Sequence, residues 1–169
     1  RMVHGGMRYV APERITPAME AELSRLSRLD PEHLTQELNI IHTVRDAYPR
    51  LPQVACFDTA FHRQMPAVAQ MHPLPRSLYD EGVVRFGFHG LSYEYLLQEL
   101  ARLAGPAGAG KRILIAHLGS GASLAAIRNG VSVVTTMGFS PSGGLMRGTR
   151  CGHVGAGVVL HLLVEKGRG

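Results

Sequence analysis

Apolar side chains recur at helical spacing near the start of the chain. After Thr16-Pro17, the segment "AMEAELSRLSRL" places Met19, Leu23, Leu26 and Leu29 on one face, with threonine as N-cap and proline at the first helical position. Asp30-Pro31 opens a second run in the same way, and Leu34, Leu38, Ile41 and Val44 keep the spacing until Tyr48-Pro49 stops it. Residues 16–48 are predicted to form a helical hairpin. "PQVACF" is short, apolar and bounded by proline, which predicts a buried strand with Asp58 at its carboxyl end. A proline-rich loop from Pro66 to Pro75 leads to "VVRFGFHG", a second predicted strand, and Ser92 is the expected cap of the helix "YEYLLQELARLAG". Glycines between 105 and 110 break the pattern and mark a linker. Beyond it, "KRILIAHLGSGASLAAIRNGVSVVTT" predicts an antiparallel meander of three strands, turned first by Gly-x-Gly and then by Asn129-Gly130. A glycine-rich loop, "MGFSPSGGLMRGTRCG", and a helix over "VGAGVVLHLLVEKG", expected to be largely buried, follow.

Composition narrows this picture without changing it. With 45% hydrophobic and 18% charged residues in 169, the chain has the make-up of an ordinary globular protein. No apolar stretch approaches the roughly 20 residues that span a bilayer, so a soluble protein with no membrane partner is expected. The net charge of +5 invites an anionic partner, but the arginines are scattered, without a basic run or an aromatic ladder. That argues against nucleic acid and suits small phosphorylated or carboxylate ligands, which the guanidinium fork grips bidentately. Cys56 and Cys151 lack any CxxC spacing, which predicts free thiols in a reducing cytoplasm. The chain opens on arginine with no signal segment after it, so a piece of a longer reading frame is expected.

Four places carry candidate chemistry. Asp58 is expected at a strand's carboxyl end, where ligands gather in open α/β sheets. His89 lies in "GFHG", whose glycines let backbone approach a ligand, although a structural histidine fits the pattern equally. "HLGSGAS" offers consecutive amides that can cradle phosphate, as can any tight hairpin. It has neither the lysine nor the following helix of a P-loop. Arg150, in "GTRCG", and Arg1, ahead of a Gly-Gly turn, read as solvated arginines or as anion ligands. None of the nine histidines has HExxH spacing, and no metal ligand set is predicted.

Together, "RMVHGG", "FDTAFHRQMP", "RFGFHGLS", "HLGSGASLAAIRNGVSV" and "TTMGFSPSGGLMRGTRCG" resemble the acetate kinase family, in family order and over nearly all of the chain. The resemblance implies an α/β fold of the sugar kinase/Hsp70/actin type, ribonuclease H-like and here partial. Residues 1–105 would end its first domain and 111–169 begin the nucleotide-binding second. It implies transfer of the ATP γ-phosphoryl to acetate, reversibly, with Mg²⁺ as cofactor, ATP/ADP and a short-chain carboxylate as partners, and a cytoplasmic homodimer when complete. By motif, Asp58, His89 and Arg150 would be catalytic, and Arg1, Val3, Phe88 and Pro141 would bind substrate. His117, Leu118, Gly119, Ser120 and Gly121 would bind ATP.

The chain departs from the family pattern at Ser120, usually asparagine, at Tyr93, often a second histidine, and at "EHLT", where "LHNP" is common. "TRCGHVGAG" lacks acidic residues expected at 153 and 155, and Glu32 would repel a carboxylate if it faced the acyl pocket. The first strand and phosphate loop of the family are expected before Arg1, and its adenosine-binding segments and metal-binding glutamate after Gly169. The piece alone is therefore expected to be nearly inactive. A propionate or butyrate kinase, and an anion-binding fragment without turnover, are the alternatives.

Overall fold

The computed structural model describes residues 1–167. Thr16 caps helix α1 (Pro17–Leu26) by accepting a hydrogen bond from the Met19 amide at 3.2 Å. Helix α2 (Pro31–Ala47) starts after Asp30, but the aspartate does not cap it; its carboxylate holds His33 Nδ1 at 2.7 Å instead. The predicted hairpin is present. Met19 and Leu23 from α1 pack with Leu34 and Ile41 from α2, over Tyr9 and Phe57, whose rings stack at 5.2 Å. Leu23 and Leu34 are fully buried, each worth about 1.5–3 kcal/mol relative to exposure.

The strand expected over "PQVACF" is shorter than predicted. Strand β2 (Val54–Ala55) pairs antiparallel with β1 (Glu13–Arg14), and the ladder stops where β1 runs out of residues. The first residues of the chain then take over as neighbour: the Met2 amide donates to Cys56 O at 2.7 Å, and the Asp58 amide donates to Met2 O at 2.9 Å. A 3-10 turn (Ala60–His62) precedes the proline-rich region; the loop expected from Pro66 to Pro75 holds one short helix, α3 (Ala67–Gln70), and a second, α4 (Arg76–Asp80), follows it.

"VVRFGFHG" is not a strand. Arg85 donates its amide to Gln70 O, at the end of α3, at 2.7 Å and Phe86 donates to Gly138 O at 3.1 Å, so a helix end and a remote loop satisfy the segment and no ladder propagates. Gly87, at φ 72°, turns the backbone where a strand would continue. The helix that follows, α5 (Gly90–Ala104), begins before Ser92, which lies in its first turn. His89 occupies the cap position at φ 61°, a left-handed conformation that is uncommon for a residue with a side chain. The linker holds one further turn of helix, α6 (Pro106–Ala109).

Strands β3 (Arg112–Leu118), β4 (Ala122–Arg128) and β5 (Val131–Thr135) form the predicted meander in the order β3-β4-β5. Asn129 and Gly130, at φ 53° and 77°, make its two-residue turn. Ala125 and Ile127 pack on Tyr93 of α5, with Phe61 and Leu97 closing over them. The last helix, α7 (Ala156–Val164), contradicts its expected burial: every residue in it is exposed, because no described element lies over its apolar surface. Among the described residues no helix is long and apolar enough to cross a membrane.

Candidate active site

Parallel pairing of the chain's first residues with residues 56–58 sets Arg1 directly beside Asp58. The guanidinium grips the carboxylate through Nη2 at 2.6 Å and Nε at 3.1 and 3.2 Å. The Asp58 side chain is 2% exposed while that of Arg1 is 55% exposed, so the acid is enclosed and its partner stands at the opening. Hydrogen bonding to Asp58 raises the Arg1 pKa, against the opposing effect of burial. On the far side of Asp58, its carbonyl accepts from the Gly90 amide at 3.0 Å. A Cβ at Gly90 would stand 2.1 Å from that oxygen, so α5 can start this close only on glycine.

His89 reaches the same place from the mouth of α5. Its ring stacks on that of His117 at 4.0 Å and 18°, and its Nδ1 lies 2.7 Å from Ser123 Oγ. Burial, and then the neighbouring His117, push the His89 pKa down to about 4. The ring is neutral at pH 7, a hydrogen-bond donor rather than a cation. His117 is in turn held through Nδ1 to Ser92 Oγ at 3.0 Å, which is what the serine does in place of capping.

These groups border one crevice of about 420 Å³. Of the residues singled out in the sequence, Arg1, Asp58, His89 and Arg150 line it. So do the apolar Val3 and Phe88, together with Pro141. His117, Ser120 and Gly121 form the glycine-turn side. Leu118 and Gly119 do not line it: Leu118 ends β3 and is 76% exposed, and the Gly119 amide is taken by Gly121 O at 2.9 Å. Arg150 lines the rim yet donates from Nη2 to Glu32 at 3.1 Å, so the glutamate faces the arginine rather than the apolar pocket.

Sequence reasoning missed two ionisable contributors. His33 lines the crevice, held by Asp30, which is 4% exposed; the pair was legible only as a helix start. Arg147 also lines it, and its guanidinium donates to the carbonyls of Pro141, Ser142 and Gly143 at 3.1, 2.8 and 3.0 Å. Its neighbourhood in "LMRGTR" was visible, but carbonyls converging on it were not.

Among the described residues no three His, Cys, Asp or Glu side chains gather as a metal site, and Asp58 is the one carboxylate lining the crevice. A single hard oxygen donor fits magnesium that arrives with phosphate and water as its other ligands; it does not make a resident cage. The crevice thus joins positive and neutral donors, an apolar wall and one acid, an arrangement able to draw together two anions.

Similarity to known proteins agrees with this geometry. The acetokinase family matches residues 1–169. The acetate kinase of Rhodopseudomonas palustris is 49% identical over 166 residues, covering 98% of this chain and 42% of that protein. The crystal structure of a propionate kinase from Francisella tularensis superposes with a TM-score of 0.92 at 31% identity, over 99% of this chain and 43% of the other. For the Porphyromonas gingivalis acetate kinase structure the values are 0.88 and 37%, over 99% and 42%. The chain spans about 42% of the length of the curated relatives it matches and carries part of their α/β kinase fold. On these motifs, this superposition and a match along its entire length, the chain belongs to the acetokinase family.

Proposed function

We propose that this chain forms the acyl side and part of the phosphate side of a carboxylate kinase, an ATP-dependent phosphotransferase that makes acetyl phosphate from acetate and runs in either direction. The observation that carries the reading is the convergence of Arg1, Asp58, His89 and Arg150 on one crevice with an apolar flank. A carboxylate is already nucleophilic at neutral pH, so little proton abstraction is needed; the barrier lies in bringing anion to anion and stabilising charge on the moving phosphoryl.

In this reading the acyl group packs on Val3, Phe88 and Pro141, and its carboxylate meets the free edge of the Arg1 fork. Asp58 orients that fork and the acceptor rather than acting as a strong base. Neutral His89 donates to the phosphoryl oxygens, Arg150 supplies positive charge after leaving Glu32, and the turn containing His117, Ser120 and Gly121 receives the nucleotide phosphates. Magnesium carried on the nucleotide would neutralise phosphate charge, with Asp58 as the single carboxylate within the crevice. The segment 105–110 is the proposed boundary between the two domains, and cytoplasmic homodimers are the proposed assembly of the complete enzyme. Acyl length is left between acetate and propionate, since one methylene shifts preference by only about 1–3 kcal/mol.

The test is capture of acyl phosphate with hydroxylamine from ATP, Mg²⁺ and acetate or propionate, using the chain as given and the chain completed to the length of its relatives. The completed protein should turn over, and Asp58→Asn and Arg150→Ala should each lower its rate by at least about 10²-fold. The chain as given should show little product. Full activity in either variant removes that residue from the mechanism. Phosphate binding without product in the completed protein would establish the alternative of an anion-binding relic, which the Glu32–Arg150 pair favours.

A further inference from the structure

Behind His89, away from the crevice, two hydroxyl groups are sealed in the core. Ser123 of β4 and Tyr93 of α5 are both fully buried. Ser123 Oγ lies between His89 Nδ1, at 2.7 Å, and the Tyr93 hydroxyl, with which it shares a short hydrogen bond. We propose that Ser123, with Tyr93 hydrogen-bonded behind it, is a positioning residue that fixes the tautomer of His89, leaving the proton on Nε2, where it faces the crevice.

Proton counting selects this arrangement. Each hydroxyl has one proton to give. If His89 donated from Nδ1, Ser123 could either donate to Tyr93 or accept from it as well, and in either case one hydroxyl proton, that of Tyr93 or that of Ser123, would have no acceptor among the described residues. A buried donor without an acceptor is the costly outcome. Running the chain the other way, from Tyr93 to Ser123 to His89 Nδ1, satisfies every group. Nε2 then keeps the ring proton. It points toward the glycine turn, where a Cβ placed on Gly121 would lie 2.7 Å from it. The groups that face His89 are His117, Asp58, Arg1 and Arg147, and the ring remains neutral among them.

The tautomer follows from hydrogen bonding alone; its use, a donor held ready for a phosphoryl oxygen, rests on the kinase reading. The two are separable, because the tautomer is visible without turnover. Nitrogen-15 spectra of the histidine-labelled chain at pH 7.5, with His89 assigned by His89→Gln, should show a proton-bearing Nε2 and a bare Nδ1. His62 is an internal reference, locked by Phe88 O at 3.0 Å from Nε2 and Ser132 Oγ at 2.8 Å from Nδ1. Tyr93→Phe leaves His89 Nδ1 as the one acceptor for the Ser123 proton among the described residues, so His89 should keep the Nε2–H form while His62 stays unchanged. Ser123→Ala removes the hydroxyl that donates to Nδ1, so there His89 should shift toward the Nδ1–H form or a mixture. A proton on Nδ1 of the unmodified chain overturns the proposal, as does an unaltered His89 pattern in Ser123→Ala with His62 in place. Should a variant lose the His62 pattern through misfolding, the unmodified chain alone decides between the two tautomers.

Discussion

The helical hairpin with its underlying aromatics and the meander with its trailing helix are closed to different degrees. Around Leu23, Leu34 and Phe57 apolar faces meet from several directions and exposure falls to 1% or less. The meander is covered on one face by α5, but Leu114 and Leu118 on the other are 78% and 76% exposed, and α7 is exposed throughout. The crevice draws on both. Asp58 and His89 come from well-packed ground, whereas Arg150 comes from a glycine-rich loop. Rigid placement of the acid and imidazole, with a movable arginine, is the division of labour this contrast supports.

The largest consequence is for stability. Leu34→Ala should cost about 2–5 kcal/mol, and Leu114→Ala should stay within about 0.5 kcal/mol, read from urea midpoints. Equal losses would mean that the exposed sheet face is covered in solution.

Acid should act next, on two imidazoles buried beneath both regions. Burial pushes the His4 and His62 pKa values down to about 4 from an ordinary 6.5. The unfolded chain therefore binds more protons between those values, so stability is full above about pH 6.5 and falls on acidification toward pH 4. Each ring contributes on the order of 1.4 kcal/mol per pH unit inside that window. A urea midpoint that is flat between pH 6.5 and 4.5 would contradict the buried neutral rings.

The smallest effect belongs to the exposed side. Arg150 and Glu32 are 32% and 70% exposed, so their pair is worth no more than about 1 kcal/mol. Glu32→Gln should leave the urea midpoint nearly unchanged and tighten inorganic phosphate binding by at most about fivefold, measured by calorimetric titration. Weaker binding would show that the glutamate positions the arginine instead of restraining it.

What could be read in the sequence follows the range of the interactions. The hairpin was legible because Met19, Leu23 and Leu26 repeat at helical spacing in one run and Leu34, Leu38 and Ile41 in the next, and the meander because Asn129-Gly130 names its own turn. Asp58 was legible from the residues around it, although the strand ahead of it proved only two residues long. His89 as a left-handed cap was not, since its backbone is dictated by Gly90 meeting the Asp58 carbonyl, a contact between segments remote in sequence. For the same reason, Ser92 was assigned to a cap and is found on His117, and Glu32 was weighed against the acyl pocket and is found on Arg150. The trailing helix reads as buried because it is apolar on all sides, but apolarity states a need for cover without supplying it.

Arg147 turns the glycine-rich segment into something other than a tether. Riveted to three successive carbonyls, the loop becomes a bracket, and the Arg147 amide also donates to Arg150 O at 2.9 Å. The sweep of the guanidinium at 150 is then set by the length of its own methylene stem, and its arc is fixed from the base.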